Sequence, residues 1–229
     1  IKYGFSIIED ASHALGGEYN SKKIGNSEFS DISVFSFHPV KNITTGEGGI
    51  ALTNSSELAT KMDLYRSHGI TRNNKAFLRK EDGPWYYEQV ALGFNYRMTD
   101  LQASLGISQL RRIDQFTSIR HEIADFYNSH FSSLPVSLQE HLLDGYSGMH
   151  LYIVRIRKDS NKKGHLEIFK ELRAKGIMVN LHYIPIHIQP FYANLGFNYG
   201  DYPNAELYYE EAITLYSNIL SKINEEHEL

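Results

Sequence analysis

Three features of the 229-residue sequence predict an α/β fold. Short apolar runs alternate with helical patterns in the first half, a long amphipathic stripe fills the middle, and a smaller α+β unit follows. The first run, Phe5-Ser6-Ile7-Ile8, ends in Glu9-Asp10. The second is Ile32-Ser33-Val34-Phe35-Ser36-Phe37, and the third is Gly49-Ile50-Ala51-Leu52-Thr53. Asn54 and Glu57 then resemble a capping box, with Leu58, Met62 and Tyr65 at helical spacing behind them. This alternation predicts a largely parallel sheet covered by helices. Residues 71–90 have no clean period and carry Asn-Asn and Asp-Gly-Pro, so a loop or loose hairpin is expected there.

Thr99 and Gln102 form a second capping box, and Leu101, Leu105, Ile113, Phe116, Ile123 and Phe126 carry an apolar stripe to about Phe131. A helix over about 99–131 is therefore expected to join two domains, 1–112 and 113–229. In the second, Leu151–Arg157 reads as a strand, and Leu166, Phe169 and Leu172 mark a helix stopped by Gly176. Ile177–Ile184 reads as another strand, and Pro203 opens a final helix after an Asp201 cap.

Composition narrows the function classes. Lys plus Arg is 23 and Asp plus Glu is 27, a net charge of -4, and no long basic run is present; a nucleic-acid binder driven by phosphate neutralisation is not expected. The absence of cysteine removes disulfide scaffolds, thiolate metal sites and cysteine nucleophiles. No apolar run approaches a membrane span and no signal-peptide pattern is seen, so a soluble, cytoplasmic protein is expected. The opening Ile1-Lys2-Tyr3-Gly4-Phe5 has no methionine and runs at once into a strand pattern, which suggests a fragment of a longer chain.

The densest polar clusters lie at strand ends, where open α/β sheets place their ligands. One is Glu9-Asp10-Ala11-Ser12-His13; the other runs from Ser36 through His38 and Lys41 to Thr44-Thr45-Gly46-Glu47-Gly48-Gly49. An acid at one strand end, with a hydroxyl and a lysine past another, suits a cofactor with a basic ring nitrogen, a phosphate and an aldehyde. Pyridoxal 5'-phosphate (PLP) has all three. A strand-end aspartate is also an ordinary cap or turn residue.

The blocks "IIEDASHALGG", "FSFHPVKNITTGEGGIALT", "RSHGI", "GFNYRMTDLQASLGISQLRRID" and "MVNLHYIPIHIQPFY" run colinearly through nearly the whole chain. Together they resemble the DegT/DnrJ/EryC1/StrS sugar aminotransferases, which have the type I aminotransferase fold. The resemblance implies that 1–112 is the remainder of a large, mixed-sheet PLP-binding domain and 113–229 a small α+β domain. It also implies a PLP-dependent transfer of an amino group from L-glutamate to a UDP-linked 4-keto-6-deoxy-N-acetylhexosamine, for surface glycans or pseudaminic acid. A 3-keto-sugar aminotransferase of the same family is the alternative, as is an inactive, truncated fragment that only dimerises.

By the same resemblance Lys41 would bond the cofactor aldehyde and later carry the proton between the donor Cα and C4′. Asp10 would pair with the ring nitrogen, His13 would lie over the ring face, and Ser36 would donate to the phosphate. Asn95 would reach the phosphate of the other subunit in a homodimer. His182 and Tyr183 would contact the sugar nucleotide, and His38 would line the entrance or simply pack. The aromatic cluster Trp85-Tyr86-Tyr87 suits ring stacking or surface packing equally. A metal site at His182 and His187 is disfavoured, because a spacing of five puts them on opposite faces of a regular strand. Family members also carry an N-terminal part holding a phosphate turn and a stacking aromatic. It is not in these 229 residues, so the chain as given is expected to be incompetent alone.

Overall fold

The computed structural model describes residues 3–157 and 163–215. In chain order the first elements are β1 (Ile8–Asp10), β2 (Glu18–Tyr19), β3 (Lys22–Lys23), β4 (Ile32–Ser36), β5 (Gly49–Leu52), α1 (Ser56–Arg66), β6 (Ile70–Thr71) and β7 (Glu88–Gln89). There follow α2 (Asp100–Leu110), α3 (Ile113–Phe131), β8 (Val136–Ser137), β9 (Gly145–Tyr146), β10 (Tyr152–Ile156), α4 (His165–Ala174), β11 (Val179–Asn180), α5 (Pro190–Ala193), α6 (Pro203–Glu211) and β12 (Ala212–Leu215). The chain divides into two compact units. One holds Ile1–Asp114 with Asp144–Gly148, the other Gln115–Leu143 with Met149–Leu229.

In the first unit β1 pairs with β4 in parallel, Asp10 standing opposite Val34. The sheet is not largely parallel, however: β5 runs antiparallel to β4, with Ser36 opposite Gly49. The two strands are joined by a loop rather than a helix, so no crossover forces them to run the same way. Because β1 and β4 are parallel, Asp10 and Ser36 emerge at the same edge of the sheet. Ser33 is buried between the strands and donates its hydroxyl to Glu9 Oε2 at 2.6 Å.

The cap of α1 is one residue later than expected. Ser55 accepts the Leu58 N–H, while the Asn54 amide is drawn away to Asn26 O. Residues 70–89 are a loose hairpin, with only Ile70–Thr71 and Glu88–Gln89 paired. Thr99 and Gln102 form the expected capping box on α2. The continuous helix expected over 99–131 is two helices, α2 and α3, with Arg111 and Arg112 between them. The apolar spacing continues past this break but is not one buried face: Leu101, Leu105 and Phe126 are exposed, while Ile113, Phe116 and Ile123 are half-buried.

The second unit is an antiparallel sheet in the order β11-β12-β10-β8. Tyr152, Val154 and Ile156 point inward along β10 with the period of two that a half-buried strand requires. They pack with Met149, Val179, Ile213 and Ala124, and with half-buried Tyr127, Phe131, Ile168, Phe169 and Leu172 from α3 and α4. Two expectations fail here. The strand over Ile177–Ile184 contracts to Val179–Asn180, since Asn180 Oδ1 takes the Leu181 N–H and Pro185 leads into a short turn at Ile186–Ile188. Pro203 does open α6, but its cap is Tyr202 without a side-chain bond; Asp201 instead accepts the Asn198 N–H. The sequence reading also missed β12, which pairs with both β10 and β11.

Candidate active site

β1 delivers Asp10 to the strand-end edge, and the backbone then turns, with the Ala11 N–H bonded to Val34 O at 2.8 Å. Ser12 gives both its hydroxyl and its N–H to Asp10 Oδ1. These bonds, the hydroxyl first, hold the Asp10 carboxyl below its ordinary range; burial opposes them, and the charges of His13 and Lys41 reinforce them. Asp10 is therefore an anion at neutral pH. His13 is exposed beside it.

β4 ends at Ser36, whose hydroxyl oxygen accepts the His38 N–H at 3.3 Å. Phe37 closes the loop that follows: its N–H donates to Gly48 O at 2.8 Å, and its carbonyl accepts the Thr45 N–H at 3.0 Å. Gly46 reverses the chain at a φ of 80°, a left-handed conformation that costs glycine little. Lys41 sits within this loop, its N–H on His38 O at 3.0 Å. Burial pushes its amine below the ordinary lysine value, with the Asp10 charge pulling the other way. His38 is exposed, next to this turn.

The neighbouring lysines differ. Lys22 is clamped by Glu28 at 2.7 Å. Lys23 lies between Asp114 and Glu18, and those carboxylates raise its pKa and hold its proton. Burial loosens the Lys41 proton, and Asp10 is the carboxylate whose charge opposes this.

Three residues that the sequence reading gave no role complete this edge. Ser12 fixes Asp10, a pattern the Asp-x-Ser spacing signals. Buried Asn42 donates to Leu15 O at 2.9 Å and to Gly148 O at 2.6 Å, fastening the lysine loop to the turn that follows Asp10. Gln109 bonds the backbone of Thr44. Nothing local in the sequence marks the last two, because their partners are distant in the chain.

Asn95 is exposed, and its backbone forms a bridge with Ser67. Phe94 and Tyr96 on either side donate to Tyr65 O and Arg66 O. Among the described residues no hydrogen bond joins Asn95 to Asp10, Ser36 or Lys41 of the same chain. His182 and Tyr183 belong to the second unit. His182 Nδ1 is 2.9 Å from Thr214 Oγ1, and Tyr183 is 60% exposed. His187 is buried against Glu206 at 2.7 Å, and among the described residues no cluster of three metal-ligating side chains forms. Trp85 is 71% exposed, Tyr86 donates to Glu88, and Arg72 lies over the Tyr87 ring.

The fold is that of sugar aminotransferases of known structure. PseC of Helicobacter pylori, an aminotransferase involved in pseudaminic acid biosynthesis, superposes with a TM-score of 0.79 at 38% identity, over 93% of this chain and 54% of that one. A sugar aminotransferase of Streptococcus pneumoniae in its PLP form gives a TM-score of 0.80 at 33% identity, over 92% of this chain and 52% of that one. The sequence profile of the DegT/DnrJ/EryC1/StrS aminotransferase family matches residues 1–227, and the chain belongs to that family. An uncharacterized protein of Methanocaldococcus jannaschii is 42% identical over 219 residues, which are 93% of this chain and 55% of the relative. The UDP-4-amino-4,6-dideoxy-N-acetyl-beta-L-altrosamine transaminase of Helicobacter pylori is 38% identical over 215 residues, again 93% of this chain and 54% of the relative. The chain thus spans about half the length of the curated relatives it matches. Among the described residues no helix is long and apolar enough to cross a membrane.

Proposed function

We propose that this protein is a PLP-dependent aminotransferase that moves an amino group from L-glutamate to a UDP-linked 4-keto-6-deoxy-N-acetylhexosamine in the cytoplasm. The observation that carries this reading is geometric: parallel β1 and β4 bring Asp10 and Ser36 to the same end of the sheet, and Lys41 lies in the loop that follows Ser36. PLP fits these residues by donor chemistry. Asp10 would hold the ring nitrogen, Ser36 the phosphate, His13 the ring face and Lys41 the aldehyde, with Asn95 of a second subunit completing the phosphate contacts. When bound, PLP supplies an electron sink for the donor Cα.

The chain's own residues do the rest. The Asp10 carboxylate, fixed by Ser12, would keep a proton on the ring nitrogen, because a negative charge beside a basic nitrogen favours its protonated form. With the cofactor bound, the Lys41 amine, half-buried in its loop, would take the proton from the donor Cα and return one at C4′. His182, Tyr183 and His38 are assigned to the sugar nucleotide. The sugar assignment rests on relatives in Helicobacter pylori and Campylobacter jejuni that are named UDP-4-amino-4,6-dideoxy-N-acetyl-beta-L-altrosamine transaminases.

Borohydride reduction of the PLP-loaded protein, expressed from its full reading frame, followed by peptide mapping tests this. A pyridoxyl adduct on Lys41 is expected. An adduct on Lys22 or Lys23 instead would overturn the assignment. Lys41→Arg should abolish turnover, since a guanidinium stays charged at any working pH.

A further inference from the structure

One face of α2 lies along the loop that follows Lys41. Gln109 bonds Thr44 twice: Nε2 donates to Thr44 O at 2.7 Å, and Oε1 accepts the Thr44 N–H at 3.3 Å. Seven residues earlier, two turns along the same helix face, Gln102 Nε2 donates to Glu47 O at 3.0 Å. Buried Gly106 lies between them, and a Cβ there would come within 2.9 Å of Thr45 Cγ2. The backbone of 44–47 is thus seated on a strip made by 102, 106 and 109. Thr44 relays the hold: its hydroxyl donates to Phe37 O at 3.0 Å and accepts the Gly46 N–H at 2.9 Å. Gln102 has a second task, because its Oε1 accepts the Thr99 N–H at 3.0 Å in the capping box. A single side chain therefore fastens both the loop after Lys41 and the start of the helix behind Asn95.

We propose that Gln109 and Gln102 are positioning residues that set the pose of the Lys41 amine through the backbone of 44–47. The proposal rests on the role of Lys41 given above. Glutamine suits the task because its amide carries one donor end and one acceptor end, matching the C=O and N–H of a single residue. Glutamate would keep only the acceptor, and methionine would keep the packing volume and lose both.

The experiment uses the PLP-loaded protein from its full reading frame, with Gln109→Met, Gln102→Met and Gln109→Glu. Gln89→Met is the control, since Gln89 gives a comparable bond to His68 O at 3.0 Å, away from the lysine loop. Three quantities are read: the pH midpoint of the bound cofactor's visible absorbance, the single-turnover rate with L-glutamate, and the urea midpoint. Both methionine variants should shift the absorbance midpoint and slow the single turnover about ten- to hundredfold, whatever their urea midpoint, because a small misplacement of a catalytic group costs this much. Gln109→Glu should fall between, and Gln89→Met should keep the wild-type absorbance midpoint. Unchanged midpoints and wild-type rates in the Gln109 and Gln102 variants would overturn the proposal. So would an equal shift in Gln89→Met. A wild-type protein without a Lys41 adduct would overturn the role of Lys41 itself, and this proposal with it.

Discussion

Ser12 gives its hydroxyl and its backbone N–H to the same oxygen of Asp10, at 2.5 and 3.1 Å. An exposed carboxylate is thereby both oriented and kept ionised. Ser12→Ala should raise the Asp10 pKa toward the ordinary carboxylate range, because the hydroxyl is the largest cause of the lowering. A carboxylate is charged above its pKa, so only the acid limb of the glutamate half-reaction should move up, with little change at pH 7. Stopped-flow rates across the acid range check this, and a large loss at pH 7 would show that Ser12 does something else.

Asp10→Asn removes the charge at every pH. Loss of a charged hydrogen bond of about 1.5–3 kcal/mol predicts a glutamate half-reaction roughly ten- to hundredfold slower. Cofactor affinity should fall far less, since the phosphate contacts survive. Equilibrium titration beside single-turnover kinetics measures both, and a rate within a few-fold of wild type would refute the role.

If Asn95 serves the phosphate of a second subunit, as proposed, mixing a Lys41→Ala subunit with an Asn95→Ala subunit should restore part of the activity. One site of the mixed dimer then carries both lesions and the other neither. Mixed dimers as inactive as both parents would end the trans assignment.

Ile213 is fully buried in the core of the second unit, opposite Val154 on β10 and in the same apolar cluster as Val179. Ile213→Ala should cost about 2–5 kcal/mol and Ile213→Val about 0.5–1.5 kcal/mol, because the cavity left behind closes only in part. Urea unfolding followed by circular dichroism gives both values. Equal losses in the two variants would mean that the site collapses freely around the deletion.

The family, the α/β class and the strand-end clusters could be read directly from the sequence because each is a local signal. Apolar period marked β4, β5 and β10, the Thr99 and Gln102 spacing marked the start of α2, and five ordered blocks marked the family. The tertiary structure decided what depends on distant partners. Ala212–Leu215 follows α6 directly and becomes a strand because β10 and β11 flank it with free backbone groups. Asn42 meets Gly148 across 106 residues and Gln109 meets Thr44 across 65. A side-chain amide carries the same donor and acceptor wherever the chain places it, so its residue type alone does not say which backbone group it will hold. That choice belongs to the packing that brings α2, the lysine loop and the turn after Asp10 to one edge of the sheet.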